Sequence, residues 1–175
     1  MSHLEGKNKW YALFVKTGEE EKVREKLEYR FKGSELSFIV PKRKLMERKE
    51  GKWKEKIRTL FPGYILVNGT IGAEEYYLLA AVPGLLKVLK NNWDPLEIPE
   101  QDMTVIKKLI CNGETIDQSR VFIESEKVIV IDGTLLGLEG FIHSIDKRKG
   151  RAKIQLNFAG EPRLVDLSVF IIQSV

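Results

Sequence analysis

A proline-glycine turn, Pro62-Gly63, opens directly into the strand-like run Tyr64-Ile65-Leu66-Val67, and this phrase constrains the chain more than any other stretch. It forces a reversal followed by an apolar strand, with two rings, Phe61 and Tyr64, flanking the turn. The segment just before it is the most basic in the chain. Residues 42–58 hold nine Lys or Arg against three Glu, a net of +6 in a protein whose total is +4. The remainder is nearly balanced, so any affinity for nucleic acid has to come from clustered charge.

Periodicity sets the order of elements. Residues 10–15 read as an apolar strand, and Thr17-Gly18-Glu19-Glu20 offers a capping box for a helix to about residue 31, with Val23, Leu27 and Phe31 on its buried face. Residues 36–40 form a second strand, Glu50-Gly51 reverses the basic stretch, and 57–67 returns as a strand. Helices follow over 74–82, stopped by Pro83-Gly84, and from Pro99 to about 110, with a strand over 85–89 between them. Strand, helix, two strands, helix, strand is the order of an α+β layer: an antiparallel sheet with helices on one face, expected over residues 8–111. Beyond a polar stretch the helical period gives way to short strands at 127–131, 138–145, 151–158, 163–167 and 169–172, which predicts a small all-β barrel.

Three surfaces are candidates for function. Lys52, Lys54, Lys56 and Arg58 alternate with Trp53, Glu55 and Ile57, so a strand would put the four cations on one side, as a phosphate track or as a solvated face. In the last third, Ala152, Ile154, Leu156 and Phe158 alternate with Arg151, Lys153, Gln155 and Asn157, predicting apolar side chains inward and polar ones outward. Lys147, Arg148 and Lys149 occupy the preceding turn, closed by Gly150. With Arg151 and Lys153 they form a donor surface for nucleic-acid phosphates, or again a solvated hairpin. The third surface is aromatic: Trp10, Phe61 and Tyr64 serve either protein docking or core packing.

Catalysis is the weakest class. Histidines occur only at His3 and His143, no zinc-type spacing is present, and Gly133, Gly137 and Gly140 lack the Lys-Ser/Thr ending of a phosphate-binding loop, so neither metal nor cofactor is expected. The lone Cys111 excludes an internal disulfide framework and fits a reducing, bacterial-type cytoplasm. The polar start, residues 1–9, has no signal-peptide core, and no apolar run approaches the ~20 residues of a membrane span.

Trp10-Tyr11-Ala12-Leu13, then Phe61-Pro62-Gly63-Tyr64-Ile65-Leu66-Val67 and Val82-Pro83-Gly84, resembles the N-terminal (NGN) domain of NusG-type transcription factors. Val128-Ile129-Val130-Ile131-Asp132-Gly133, with Leu138-Glu139-Gly140 and Ile145-Asp146, is similar to the family's SH3-like KOW domain. The resemblance implies an NGN-like domain over 8–111, a linker over 112–123 and a KOW domain over 124–175. It further implies an elongation and antitermination factor, a monomer and not an enzyme, that grips the clamp helices of the largest RNA polymerase subunit through Trp10, Phe61, Pro62, Gly63 and Tyr64. The basic hairpin would then lie beside upstream DNA.

The run Asp146-Lys147-Arg148-Lys149-Gly150-Arg151-Ala152-Lys153 looks like the LoaP branch, antiterminators that recognise an RNA hairpin in a long operon. Where housekeeping members carry a Phe-Gly-Arg turn, this chain has Phe158-Ala159-Gly160-Glu161-Pro162-Arg163, and Ala159 falls at the position of that Phe. The rival expectation is a general elongation factor whose KOW domain binds ribosome or termination factor. A third, an RfaH-like refolding KOW segment, finds no support in the strand-rich pattern after residue 127.

Overall fold

The computed structural model describes residues 9–172; His3 and most of the polar start read above lie outside them. The described chain forms two compact units, one from residues 9–40 and 61–103 and the other from 41–60 and 104–172. The basic hairpin, inside the first segment by sequence, thus packs within the second unit.

In the first unit β1 (Trp10–Val15), β2 (Ser37–Ile39), β5 (Tyr64–Asn68) and β6 (Leu85–Val88) make an antiparallel sheet of order β2-β5-β1-β6. The helices α1 (Glu20–Arg30) and α2 (Ala73–Ala80) supply its apolar cover. Val23, Leu27 and Phe31 of the first helical segment cluster with Tyr11, Leu13, Val15, Ile65 and Val67 from alternate strand positions, and Leu79 and Val82 join them. Each such side chain, sealed from water, contributes about 1.5–3 kcal/mol of transfer free energy.

Helices on one face describe only half of this sheet. Trp10, Ala12 and Leu66, which period two puts on the opposite face, are buried as well. Buried on both sides, β1 and β5 need apolar residues at consecutive positions, which is why Trp10-Tyr11-Ala12-Leu13 and Ile65-Leu66-Val67 run without alternation. The expected capping box is also absent: Glu19 is the N-cap and makes no side-chain cap bond. Helix α3 (Glu100–Leu109) buries Met103, Ile106 and Leu109, with Ile110 only half-buried.

In the second unit β3 (Lys42–Lys49) and β4 (Lys52–Thr59) form a hairpin, and a short β7 (Thr115–Ile116) lies parallel to β3. Glu50 (φ 52°) and Gly51 (φ 78°) turn the hairpin in the doubly left-handed geometry that matches strand twist. A five-stranded sheet of order β10-β11-β12-β8-β9 completes the unit, from β8 (Ser119–Glu124), β9 (Lys127–Asp132), β10 (Ile142–Asp146), β11 (Arg151–Phe158) and β12 (Glu161–Ile172). β8 falls in the stretch expected to be linker, and its parallel pairing with β12 ties the end of the chain to that stretch. β12 is one continuous strand where two were expected, and residues 139–141 form a 3-10 turn ahead of β10. Ala152, Ile154, Leu156 and Phe158 are buried while Lys153, Gln155 and Asn157 are exposed, as the alternation predicts.

Candidate macromolecular interfaces

The Phe61-Pro62-Gly63-Tyr64 turn is built to hold one shape. Tyr64 N–H donates to the Phe61 carbonyl at 3.1 Å, proline takes the second position, and Gly63 takes the third with φ +86°. A Cβ at Gly63 would also stand 3.3 Å from both Thr17 Oγ1 and the Val15 carbonyl, so glycine is needed for space as well as for φ. Glu20, only 5% exposed, anchors the turn from behind: its Oε1 accepts the Gly63 N–H at 2.8 Å and its Oε2 the Gly18 N–H at 2.9 Å. One carboxylate at the start of α1 therefore fixes both the β1–α1 connection and the turn into β5.

The turn does not present all the rings the resemblance implies. Phe61 is 2% exposed and Trp10 9%, so both belong to the packed interior, and Gly63 is buried too. Trp10 goes inward because it shares the second buried face with Ala12 and Leu66. Pro62 is exposed and Tyr64 half-buried. Tyr64 pairs directly across from Phe14, with ring centroids 5.5 Å apart at 58°, an energetically favoured tilt. The accessible aromatic feature is thus Pro62, Tyr64 and Phe14. Phe14 was missed because the sequence reading weighed rings near the turn and not the cross-strand partner of Tyr64.

The basic turn between β10 and β11 is tightly held. Asp146 accepts the Gly150 N–H through its carbonyl (2.9 Å) and the Lys149 N–H through Oδ1 (2.9 Å), and Gly150 in turn accepts the Val169 N–H at 2.9 Å. Gly150 has φ +65°, and a Cβ there would meet the Val169 carbonyl at 3.1 Å. Lys147, Arg148 and Lys149 are all exposed on this pinned turn, and Lys153 is exposed further along β11. A fixed backbone with exposed cationic tips suits phosphate binding, because little backbone entropy remains to be lost.

Arg151 departs from the expected set. Its side chain is 17% exposed, and its guanidinium donates from Nη2 to the Met46 carbonyl (3.0 Å) and pairs through Nη1 with Asp166 Oδ2 (3.6 Å). Arg43 donates from Nη1 to the Asp166 carbonyl at 2.7 Å, and its burial pulls the guanidinium below its ordinary pKa. Arg151 and Arg43 therefore fasten the basic hairpin to the five-stranded sheet. An outward-facing position by alternation became an inward contact because β3 packs over that surface.

On the hairpin, Lys52, Lys54, Lys56 and Arg58 share one face, as the spacing predicts, and all are exposed. Arg58 is engaged by a bidentate pair with Glu47, at 2.8 and 2.7 Å. That hydrogen bond holds the Glu47 carboxyl below the usual carboxylate range. The stripe is thus three exposed lysines plus one neutralised arginine. Among the described residues no group of three or more His, Cys, Asp or Glu could hold a metal ion, and no helix is long and apolar enough to cross a membrane.

The chain thus combines an α+β unit that carries a Phe-Pro-Gly-Tyr turn with a β-rich unit that carries a basic turn. The family model described as transcription termination factor NusG matches residues 8–107, and the chain belongs to that family. Transcription termination/antitermination protein NusG of Buchnera aphidicola is 27% identical over 168 residues, covering 92% of this chain and 93% of its own. The protein of that name from Streptococcus pyogenes is 28% identical over 170 residues, covering 92% and 93%. A solved structure of Thermotoga maritima NusG superposes with a TM-score of 0.60 at 22% identity, covering 91% of this chain and 93% of its own, a match of fold.

Proposed function

We propose that this NusG-family factor is a specialised antiterminator of the LoaP type, which holds elongating RNA polymerase through residues 8–111 and a structured leader RNA through residues 124–175. The observation that carries this reading is the basic turn: three exposed cations on a backbone pinned by Asp146 and Gly150, with Lys153 nearby. On the polymerase side, Pro62, Tyr64 and Phe14 make the outer contact with the clamp helices, while Glu20, Phe61 and Gly63 hold the turn in shape. Lys52, Lys54 and Lys56 supply phosphate contacts to upstream DNA. Two modest contacts on one chain act together through effective concentration, so RNA-bound factor stays with the polymerase that made the RNA.

A second reading, a general elongation factor whose last segment binds proteins, draws on the exposed Ile129, Ile131 and Leu136 of that segment. Transcription by purified bacterial RNA polymerase across a terminator, on templates with and without a leader hairpin, separates the two. The antiterminator reading expects read-through only with the hairpin, lost in both Tyr64→Ala and the triple variant K147Q/R148Q/K149Q. Equal read-through on both templates, unaffected by the triple variant, favours the protein-binding reading.

A further inference from the structure

Beside the basic turn lies a cleft of about 660 Å³, within the usual volume of a small-ligand site, whose walls include Trp53 and Met46 of the hairpin, Phe170 of β12, and Lys147, Arg148 and Lys149. We propose that this cleft is a stacking slot for one unpaired nucleobase of the bound RNA, an inference that rests on the RNA-binding reading above and goes beyond it. Two large rings remain accessible here, Trp53 at 42% and Phe170 at 54%. Trp53 and Phe170 suit a ligand that carries a flat apolar surface. The three cations on the same rim require that the ligand also carry negative charge. A nucleotide is the chemical class that has both, and pairing a cationic groove with aromatic stacking platforms is how unpaired bases are held.

The cleft is held in shape before any ligand arrives. Arg151 Nη2 bonds the carbonyl of Met46, fixing β3 at the wall, and the Val169 N–H to Gly150 carbonyl bond fixes β12 against the basic turn. Little ordering is left to be done on binding, which favours affinity. The side chains of an A-form duplex reader cannot reach bases in the deep major groove, so a loop or bulge base that swings out is what such a slot would sort. The basic turn would grip the flanking phosphates and the rings would select for an extruded base.

The test uses the full chain and two RNAs: a hairpin with a single bulged adenosine, and the same hairpin with an abasic residue at the bulge. Anisotropy titrations of wild type, Trp53→Leu, Phe170→Leu and Trp53→Phe are run at several salt concentrations, with thermal melting to confirm that each variant is folded. Wild type should prefer the bulged base by about tenfold, the scale of one base-aromatic stack. The two leucine variants should erase that preference without changing affinity for the abasic hairpin or the salt slope, and Trp53→Phe should keep it. Equal binding of both RNAs by wild type, or a preference that survives both leucine substitutions, overturns the slot alone. If neither RNA binds wild type, the RNA-binding reading falls and the slot with it.

Discussion

The Glu20 carboxylate and the Gly63 N–H, 43 residues apart, are joined by a buried 2.8 Å hydrogen bond that fixes the turn into β5. The same carboxylate holds the Gly18 N–H, so it closes two loops at once. Glu20→Ala strands both donors, and a buried donor left without a partner costs about 1–3 kcal/mol. Glu20→Gln keeps one acceptor oxygen but sets an amide N–H₂ against the other donor, and should cost less. Urea denaturation should rank wild type above Gln above Ala, and equal stability of all three would show that the carboxylate does not hold the turn.

Arg151 is expected to separate from its neighbours in the basic run. Because it binds Met46 and Asp166, Arg151→Gln should lower thermal stability, whereas K147Q, R148Q and K149Q, all at exposed positions, should leave the melting temperature close to wild type. Removing one partner from a part-buried charged contact costs more than deleting a solvated cation. A melting temperature unchanged in Arg151→Gln would return that residue to the ligand-binding set.

The Arg58–Glu47 pair gives a signed pH dependence. The folded carboxyl of Glu47 lies below its ordinary value of 4.5, so the pair's contribution is fully present above that value and is lost as pH falls through the lowered folded pKa. Wild type and Glu47→Gln should therefore differ in stability near neutral pH, by a small amount for so exposed a pair, and converge once pH falls below the lowered folded pKa. Melting curves across that range check it; a difference that grows on acidification contradicts it.

Much of this was legible in the residues, and the exceptions share a physical cause. The continuous strand β1, the three helices and the in-out alternation of β11 follow from local period, which needs no knowledge of neighbours. What local period cannot give is which second surface covers a face. Trp10 looked like a docking ring until both faces of β1 proved buried, although the unbroken apolar run Trp10-Tyr11-Ala12-Leu13 carried that signal. Arg151 looked solvated because β3, more than a hundred residues earlier, is what packs over it. The pairing of Phe14 with Tyr64 and the place of Trp53 in a cleft depend on distant strands, which local period does not reveal.

The most direct test of the account is the affinity of the full chain for leader hairpin RNAs measured against salt, for wild type and for K147Q/R148Q/K149Q. The account predicts strong salt dependence for wild type, and for the variant a weaker affinity with a slope shallower by about 0.7–0.9 for each phosphate contact removed. Identical affinity and identical slope in the two proteins would contradict it.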